Sequence, residues 1–244
     1  MCFHISQTKI GRELEERYKA KLHLSKLRAE PPFFYHINGF VHPDILMIPQ
    51  EEPSVITDAI WGIAPENEKI ENLTVYFKKA VAFGGGLNAQ FEKAFTHFIY
   101  KKSIISKRCL IPVTGFYEPH ERKGKKFPYF ISRKDGDSFS LAGIYTQIGE
   151  IFSCSILTKE ASPMFQEIHN VKKRQPVIIN KKDEELWLND QLSKPEIHKL
   201  AQVVYPEETL IAFPVNKKIF QPGEDSNTPE SQKYFDYPEL QELF

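Results

Sequence analysis

The sequence predicts an α+β fold in which a mainly antiparallel, barrel-like sheet is flanked by helices. Two observations carry that expectation. Short apolar segments rich in β-branched and aromatic residues, divided by Gly and Pro, fill the middle of the chain. Helical periodicity is confined to the two ends, and strands grouped between helices suit a segregated α+β arrangement.

Taken in order, residues 8–22 (TKIGRELEERYKAKL) space Ile10, Leu14, Tyr18 and Leu22 four apart, the period of an amphipathic helix. Residues 31–48 (PPFFYHINGFVHPDILMI) read as short strands and turns, and 54–65 (SVITDAIWGIAP) as a strand running into a loop at Pro65. The segment FGGGLNAQFEKAFTHF, residues 83–98, opens with three glycines, which leave the backbone permissive just before Leu87 and Asn88. A flexible loop is the plainer account of the same triplet. RCLIPVTGFYEP (108–119) and FPYFISRK (127–134) read as strands around a basic turn at Lys123–Lys126, and SFSLAGIYTQ with IFSCSILTK as a further hairpin. From residue 181 the character is helical, with KKDEELWLND and then KPEIHKLAQVV, whose Pro195 falls suitably early. The final stretch, residues 221–244, is rich in Pro, Ser and acid and is expected to pack on or extend from a single domain spanning 1–220.

At 244 residues the chain is long enough to bury a proper core. Lys plus Arg and Asp plus Glu both number 32, so zero net charge argues against a general electrostatic nucleic-acid binder but leaves room for a local basic groove. Three cysteines without CxxC spacing give neither a disulfide framework nor a zinc site, and suit a reducing cytosol. No apolar run approaches the ~20 residues of a membrane span, and no signal peptide opens the chain, so a cytoplasmic protein is expected.

There is no P-loop, GxGxxG, HExxH or GxSxG motif. The remaining candidates for chemistry are scattered: Cys2, Asn88, Glu118 and His169. If Met1 is removed, Cys2 carries an α-amine and a thiol on adjacent carbons, a pair no internal cysteine offers; the plain alternative is an inert small residue. Glu118, behind two aromatics in GFYEP, has its pKa raised if its surroundings are apolar, or is a solvated strand-end acid. His169, before a basic cluster, suits acid–base work or a phosphate contact, and equally a surface loop. Asn88 either orients a substrate oxygen or caps a helix beginning near Ala89.

Together these residues stand in a set of motifs: MC at the start, WGIAP (61–65), LNAQFE (87–92), RCLIPVTGFYEP (108–119), IHNVKKRQPVI (168–178), EELWL (184–188) and FPVN (213–216). On these motifs the chain resembles, over roughly residues 1–220, the SOS response-associated peptidase (SRAP) family, whose members attach covalently to abasic sites in single-stranded DNA. The resemblance implies a mixed α/β structure around a barrel-like antiparallel sheet, a monomer that needs no nucleotide or other cofactor, and an abasic site in single-stranded DNA as partner. It makes Cys2 the nucleophile, freed by removal of Met1 through an autoproteolytic, peptidase-like activity, with Asn88, Glu118 and His169 as its active-site companions. The expected product is a thiazolidine joining Cys2 to the sugar aldehyde. DNA contacts are expected from Lys172, Lys173 and Arg174, from Trp61 as a stacking or wedge residue, and from Gln90.

The pattern also departs from the family's. Gln90 stands where members commonly have an arginine that contacts phosphate, and an amide supplies neither its charge nor its bidentate geometry. HFIYKK replaces a further arginine, with Lys101 and Lys102 as partial compensation. Pro119 stands for a tryptophan, CFH for CGR, and HNVKKRQP is longer than the usual spacing. Three rival functions follow: an N-terminal-nucleophile amidohydrolase, a non-catalytic descendant that binds single-stranded DNA, and a conventional peptidase. Phe3 in place of glycine after Cys2, and the missing NGE- and GD-type signatures, weigh against the first.

Overall fold

The computed structural model describes residues 2–24, 30–221 and 223–241. Among these the strands are β1 (His4–Gln7), β2 (Lys21–Leu22), β3 (Phe34–Asn38), β4 (Asp44–Pro49), β5 (Val55–Trp61), β6 (Asn88–Gln90) and β7 (Arg108–Val113). They continue with β8 (Gly115–Arg122), β9 (Lys125–Arg133), β10 (Phe139–Ile148), β11 (Ile151–Glu160), β12 (Arg174–Pro176), β13 (Ile178–Ile179) and β14 (Leu210–Pro214).

Five of these close a ring. β11 pairs with β10, β10 with β7, β7 with β4 and β4 with β5, all antiparallel. β5 then returns to β11 in parallel, Ser153 opposite Ile60 and Cys154 opposite Trp61. The fold is therefore α+β around a five-stranded mixed barrel, with one parallel seam in an otherwise antiparallel closure. Alternation along each strand explains why these segments are apolar throughout. Ile45, Met47, Cys109, Ile111 and Ile156 join one buried cluster, while Leu46, Ile48, Leu110 and Leu157 join a second that includes the helical residues Leu14, Phe91, Trp187 and Ile197.

A second, wholly antiparallel sheet has the order β14-β9-β8-β1-β3. β7 and β8 are separated only by Thr114, so one stretch of chain passes from barrel to sheet. The N-terminal strand lies inside this sheet, with His4 opposite both Tyr117 of β8 and Asn38 of β3.

The first helix is shorter than its periodicity suggests, running Gly11–Tyr18. Lys19 takes a left-handed conformation with φ 52°, which ends the helix, and Leu22 pairs with Ile56 in β2. The two C-terminal helical pieces are seen as Glu184–Trp187 and Lys194–Gln202, the latter with Pro195 in its first turn. The segment 223–241 lies against the second sheet. Asn227 Oδ1 accepts from the Tyr35 amide at 2.8 Å, Gln232 Nε2 donates to Ser6 Oγ at 2.6 Å, and the Tyr237 hydroxyl donates to the Val215 carbonyl at 2.9 Å.

Candidate active site

The strand that carries Asn88 is held in place by the WGIAP motif. The Trp61 indole N–H donates to the Leu87 carbonyl at 3.0 Å, Gly62 N–H to the Cys154 carbonyl at 2.8 Å and Ile63 N–H to the Gly86 carbonyl at 3.1 Å. The glycine triplet 84–86 has φ of 86°, 66° and 66°, and a Cβ at Gly86 would stand 2.7 Å from the Ile63 carbonyl oxygen. The triplet is thus a shaped turn rather than a slack loop. It delivers β6 beside β11, where Asn88 pairs with Ile156. The nearby helix starts only at Phe91, after Gln90, so Asn88 caps nothing.

Instead the Asn88 Nδ2 donates to the Cys2 carbonyl at 2.8 Å, and among the described residues its buried Oδ1 accepts no hydrogen bond. Cys2 itself is fully buried just ahead of β1, and its Sγ lies 3.8 Å from the His4 carbonyl. Glu118 reaches the site from β8, also fully buried. His169 comes from the turn after the helix Pro163–Ile168. Its Nδ1 lies 2.9 Å from the Arg174 carbonyl and 3.3 Å from Glu118 Oε2. A carbonyl only accepts, so Nδ1 carries the proton and Nε2 is the basic nitrogen of the ring.

Burial sets the ionisation of all three. It pushes the Glu118 carboxyl up to about 7 and the His169 imidazole down to about 4. At neutral pH the histidine is therefore neutral, and its 3.3 Å approach to Glu118 is not an ion pair. Burial first and the Glu118 charge second raise the Cys2 thiol well above its usual value, so the resting sulfur keeps its proton.

Two clefts meet at this point, and Phe3 borders both. The larger, about 450 Å³, is lined by His4, Tyr117, Pro119, Lys126, His169 and Lys172 among others. The smaller, about 260 Å³, is lined by Phe83, Asn88, Gln90, Lys93, His97 and Tyr100. His97 and Tyr100 stack at 3.9 Å between ring centroids, and Phe83 is 92% exposed. Lysines on each side, with the exposed Phe83 and the half-buried His97 and Tyr100 in the smaller cleft, suit an extended ligand with phosphates and planar bases.

The structure treats the DNA-contact candidates unequally. Gln90 and Lys172 line the clefts, and Lys173 is exposed beside them. Trp61 is 0% exposed and its indole is committed to Leu87, so it is a core and loop-fixing residue with no face for a base. Arg174 is also spoken for: its guanidinium grips both Glu92 oxygens at 2.9 and 3.0 Å and the Thr158 carbonyl at 2.7 Å. The lysine lining the smaller cleft is Lys93, not Lys101 or Lys102. Residues that sequence reasoning passed over are Lys93, Lys126, the aromatics of the smaller cleft, and His4, whose only signal was its place two residues beyond Cys2 on a strand.

Among the described residues no group of His, Cys, Asp and Glu is arranged to hold a metal ion, and no helix is long and apolar enough to cross a membrane. Fold and site together define a protein that buries a thiol near its N-terminus, with its backbone bonded to an asparagine that lines one cleft and a buried carboxyl nearby whose histidine neighbour lines the other. The chain belongs to the SOS response associated peptidase (SRAP) family, whose pattern matches residues 1–222. It is similar to the abasic site processing protein YoqW of Bacillus subtilis (strain 168), at 28% identity over 176 residues, 70% of this chain and 72% of that one. It is similar also to the abasic site processing protein HMCES of Gallus gallus, at 26% identity over 203 residues, 72% of this chain and 56% of that one. A crystal structure of a Bacteroides thetaiotaomicron protein superposes with a TM-score of 0.83 at 27% identity, covering 96% of this chain and all of the other.

Proposed function

We propose that this protein senses abasic sites in single-stranded DNA and binds them covalently through Cys2 once Met1, which lies outside the described residues, has been removed. The observation that carries the reading is the convergence of Cys2, Asn88, Glu118 and His169 from four separate segments, with Asn88 bonded to the Cys2 carbonyl across 2.8 Å and His169 lying 3.3 Å from Glu118. The names of the relatives, abasic site processing proteins, support the same substrate.

The chemistry follows from what each group offers. An abasic deoxyribose opens to an aldehyde when a proton leaves its anomeric hydroxyl and another reaches the ring oxygen; the basic Nε2 of neutral His169 suits the first transfer. The freed α-amine, with a pKa near ~8, adds to the aldehyde carbon, and loss of water gives an imine. The Cys2 sulfur then adds to the imine carbon while its proton passes to nitrogen, closing a five-membered thiazolidine. Glu118, poised near 7, exchanges protons at the amine and the thiol. The same carboxyl would serve in self-cleavage of Met1. The intramolecular thiol has a very high effective concentration, so closure outruns return to aldehyde. Asn88 fixes the Cys2 carbonyl, and its unpaired Oδ1 remains to accept from a sugar hydroxyl.

Intact-protein mass spectrometry with a single-stranded oligonucleotide carrying one abasic site tests the reading, with Cys2→Ala as control. The expected result is loss of one methionine, then a gain equal to the oligonucleotide less one water, in the unsubstituted protein only. A processed protein that forms no adduct would leave the non-catalytic DNA-binding reading in its place.

A further inference from the structure

We infer that the C-terminal segment 223–241 sets the hydrogen-bonding state of the larger cleft, through a chain of contacts from Ser226 to His36 to His4. The inference rests on the reading of that cleft as the substrate site, and adds His4 to it as a positioning residue.

The chain is short and continuous. His4, which lines the cleft, places its Nδ1 2.9 Å from His36 Nε2. His36 in turn places its Nδ1 2.7 Å from the Ser226 hydroxyl. The two rings stack with centroids 5.1 Å apart and planes 15° from parallel, and Tyr117 and Phe220 close over them edge-on or tilted. Ser226 is itself fixed: its carbonyl accepts from the Ser231 hydroxyl, and Asn227 and Gln232, both further along the segment, bond to the Tyr35 backbone. The family match ends at residue 222, so this segment lies beyond it.

The proton count allows two directions along the chain, which differ in the tautomer of both rings. Burial holds both imidazoles neutral at pH 7, His4 at about 3 and His36 at about 4, so each carries one ring proton. A hydroxyl can donate or accept, and a chain that runs inward from Ser226 has that hydroxyl donating to His36 Nδ1. With the hydroxyl as donor, His36 is protonated on Nε2 and donates to His4 Nδ1. That leaves His4 protonated on Nε2, the nitrogen available to the cleft. The wall beside Cys2 is therefore a neutral N–H donor, aimed at an oxygen lone pair of the substrate. Glu121, Lys126, His169 and Lys172 share the cleft, and Tyr117 faces His36 from β8. None of them makes the hydrogen bonds that orient the His4 ring.

Nitrogen-15 NMR on protein labelled at histidine reads the tautomers directly and needs no DNA. The expected spectrum has His4 protonated at Nε2 and His36 at Nε2. Ser226→Ala removes the hydroxyl donor and should shift both rings toward mixed tautomers; Ser226→Thr, which keeps the hydroxyl, should restore them. Adduct formation by Ser226→Ala should be slower by about 3- to 10-fold, the effect of one neutral hydrogen bond, with Ser226→Thr near the original rate. A methylphosphonate beside the lesion distinguishes the acceptor: if the oxygen is a phosphate's, the difference between the two proteins disappears. Tautomers unmoved by Ser226→Ala, or tautomers that move without any change in rate, would overturn the inference. If no protein forms an adduct, the proposed function fails while the tautomer result still stands or falls by itself.

Discussion

Glu118 is a carboxyl that the fold keeps near its midpoint at neutral pH, at about 7, because burial penalises its charge. Glu118→Gln keeps the shape and removes the exchangeable proton. Adduct formation at pH 7 should fall by roughly 10²-fold or more, and the inflection of the pH–rate profile near 7 should vanish, in single-turnover gel assays. A retained inflection would remove Glu118 from the proton path. Gln90 offers the complementary test. Gln90→Arg places a guanidinium in the smaller cleft and should tighten single-stranded DNA binding by about 1–3 kcal/mol. The salt dependence should steepen by about 0.7 in log–log slope, as one more phosphate is neutralised. Fluorescence anisotropy across a salt series reads both. At this scale the grouping of Cys2, Asn88, Glu118 and His169 was legible in the sequence only through the motifs that carry the family resemblance, since each residue alone suits a structural role equally well. Trp61 was not, since a tryptophan that stacks on bases and one that pins a loop are spelled alike. Only the indole N–H reaching Leu87 separates them. The pairing of His4 with His36 also depends on information absent from local sequence, namely the β1–β3 register and its irregularity between Ile5 and Gln7.

The glycine turn is the element on which Asn88 depends. Gly86→Ala would put a methyl group 2.7 Å from a carbonyl oxygen at φ 66°, so a cost of about 1–3 kcal/mol is expected together with slower adduct formation as β6 shifts. Gly84→Ala, where nothing lies within 4 Å, should cost only the left-handed penalty of about 1–2 kcal/mol and leave the rate alone. Thermal melts and rate measurements on both variants check the contrast; equal effects would mean that the turn is merely strained. Elements of the barrel were readable in advance because short apolar runs rich in β-branched and aromatic residues, bounded by Gly and Pro, are local signals. The first helix was overextended by four-residue spacing, which continues past the left-handed Lys19 although the backbone does not. The parallel seam of β5 with β11 carries no local mark at all, being fixed by closure of the ring.

For the whole molecule, the buried imidazoles dominate the response to acid. His4, His36 and His169 are held near 3, 4 and 4, below an unfolded value near 6.5, chiefly by burial. The unfolded chain therefore takes up protons that the folded chain refuses between about pH 6.5 and 4, and stability rises with pH through that window. Glu118 has the opposite sign: its raised value favours the folded state below 4.5, and that contribution is lost as pH rises through about 7. Three groups outweigh one, so the melting temperature should fall on going from pH 7 to 5, with a calorimetric scan as the check. A flat profile would mean that the rings are not held neutral.

The position of β1 has a consequence in time. Its partners are β3, ending at Asn38, and β8, ending at Arg122, so the strand behind Cys2 is enclosed only after residue 122 has been made. At roughly 5–20 residues per second, synthesis leaves the start of the nascent chain uncovered for several seconds at least. Cys2, fully buried in the folded protein, is open to solvent for that interval and enclosed afterwards.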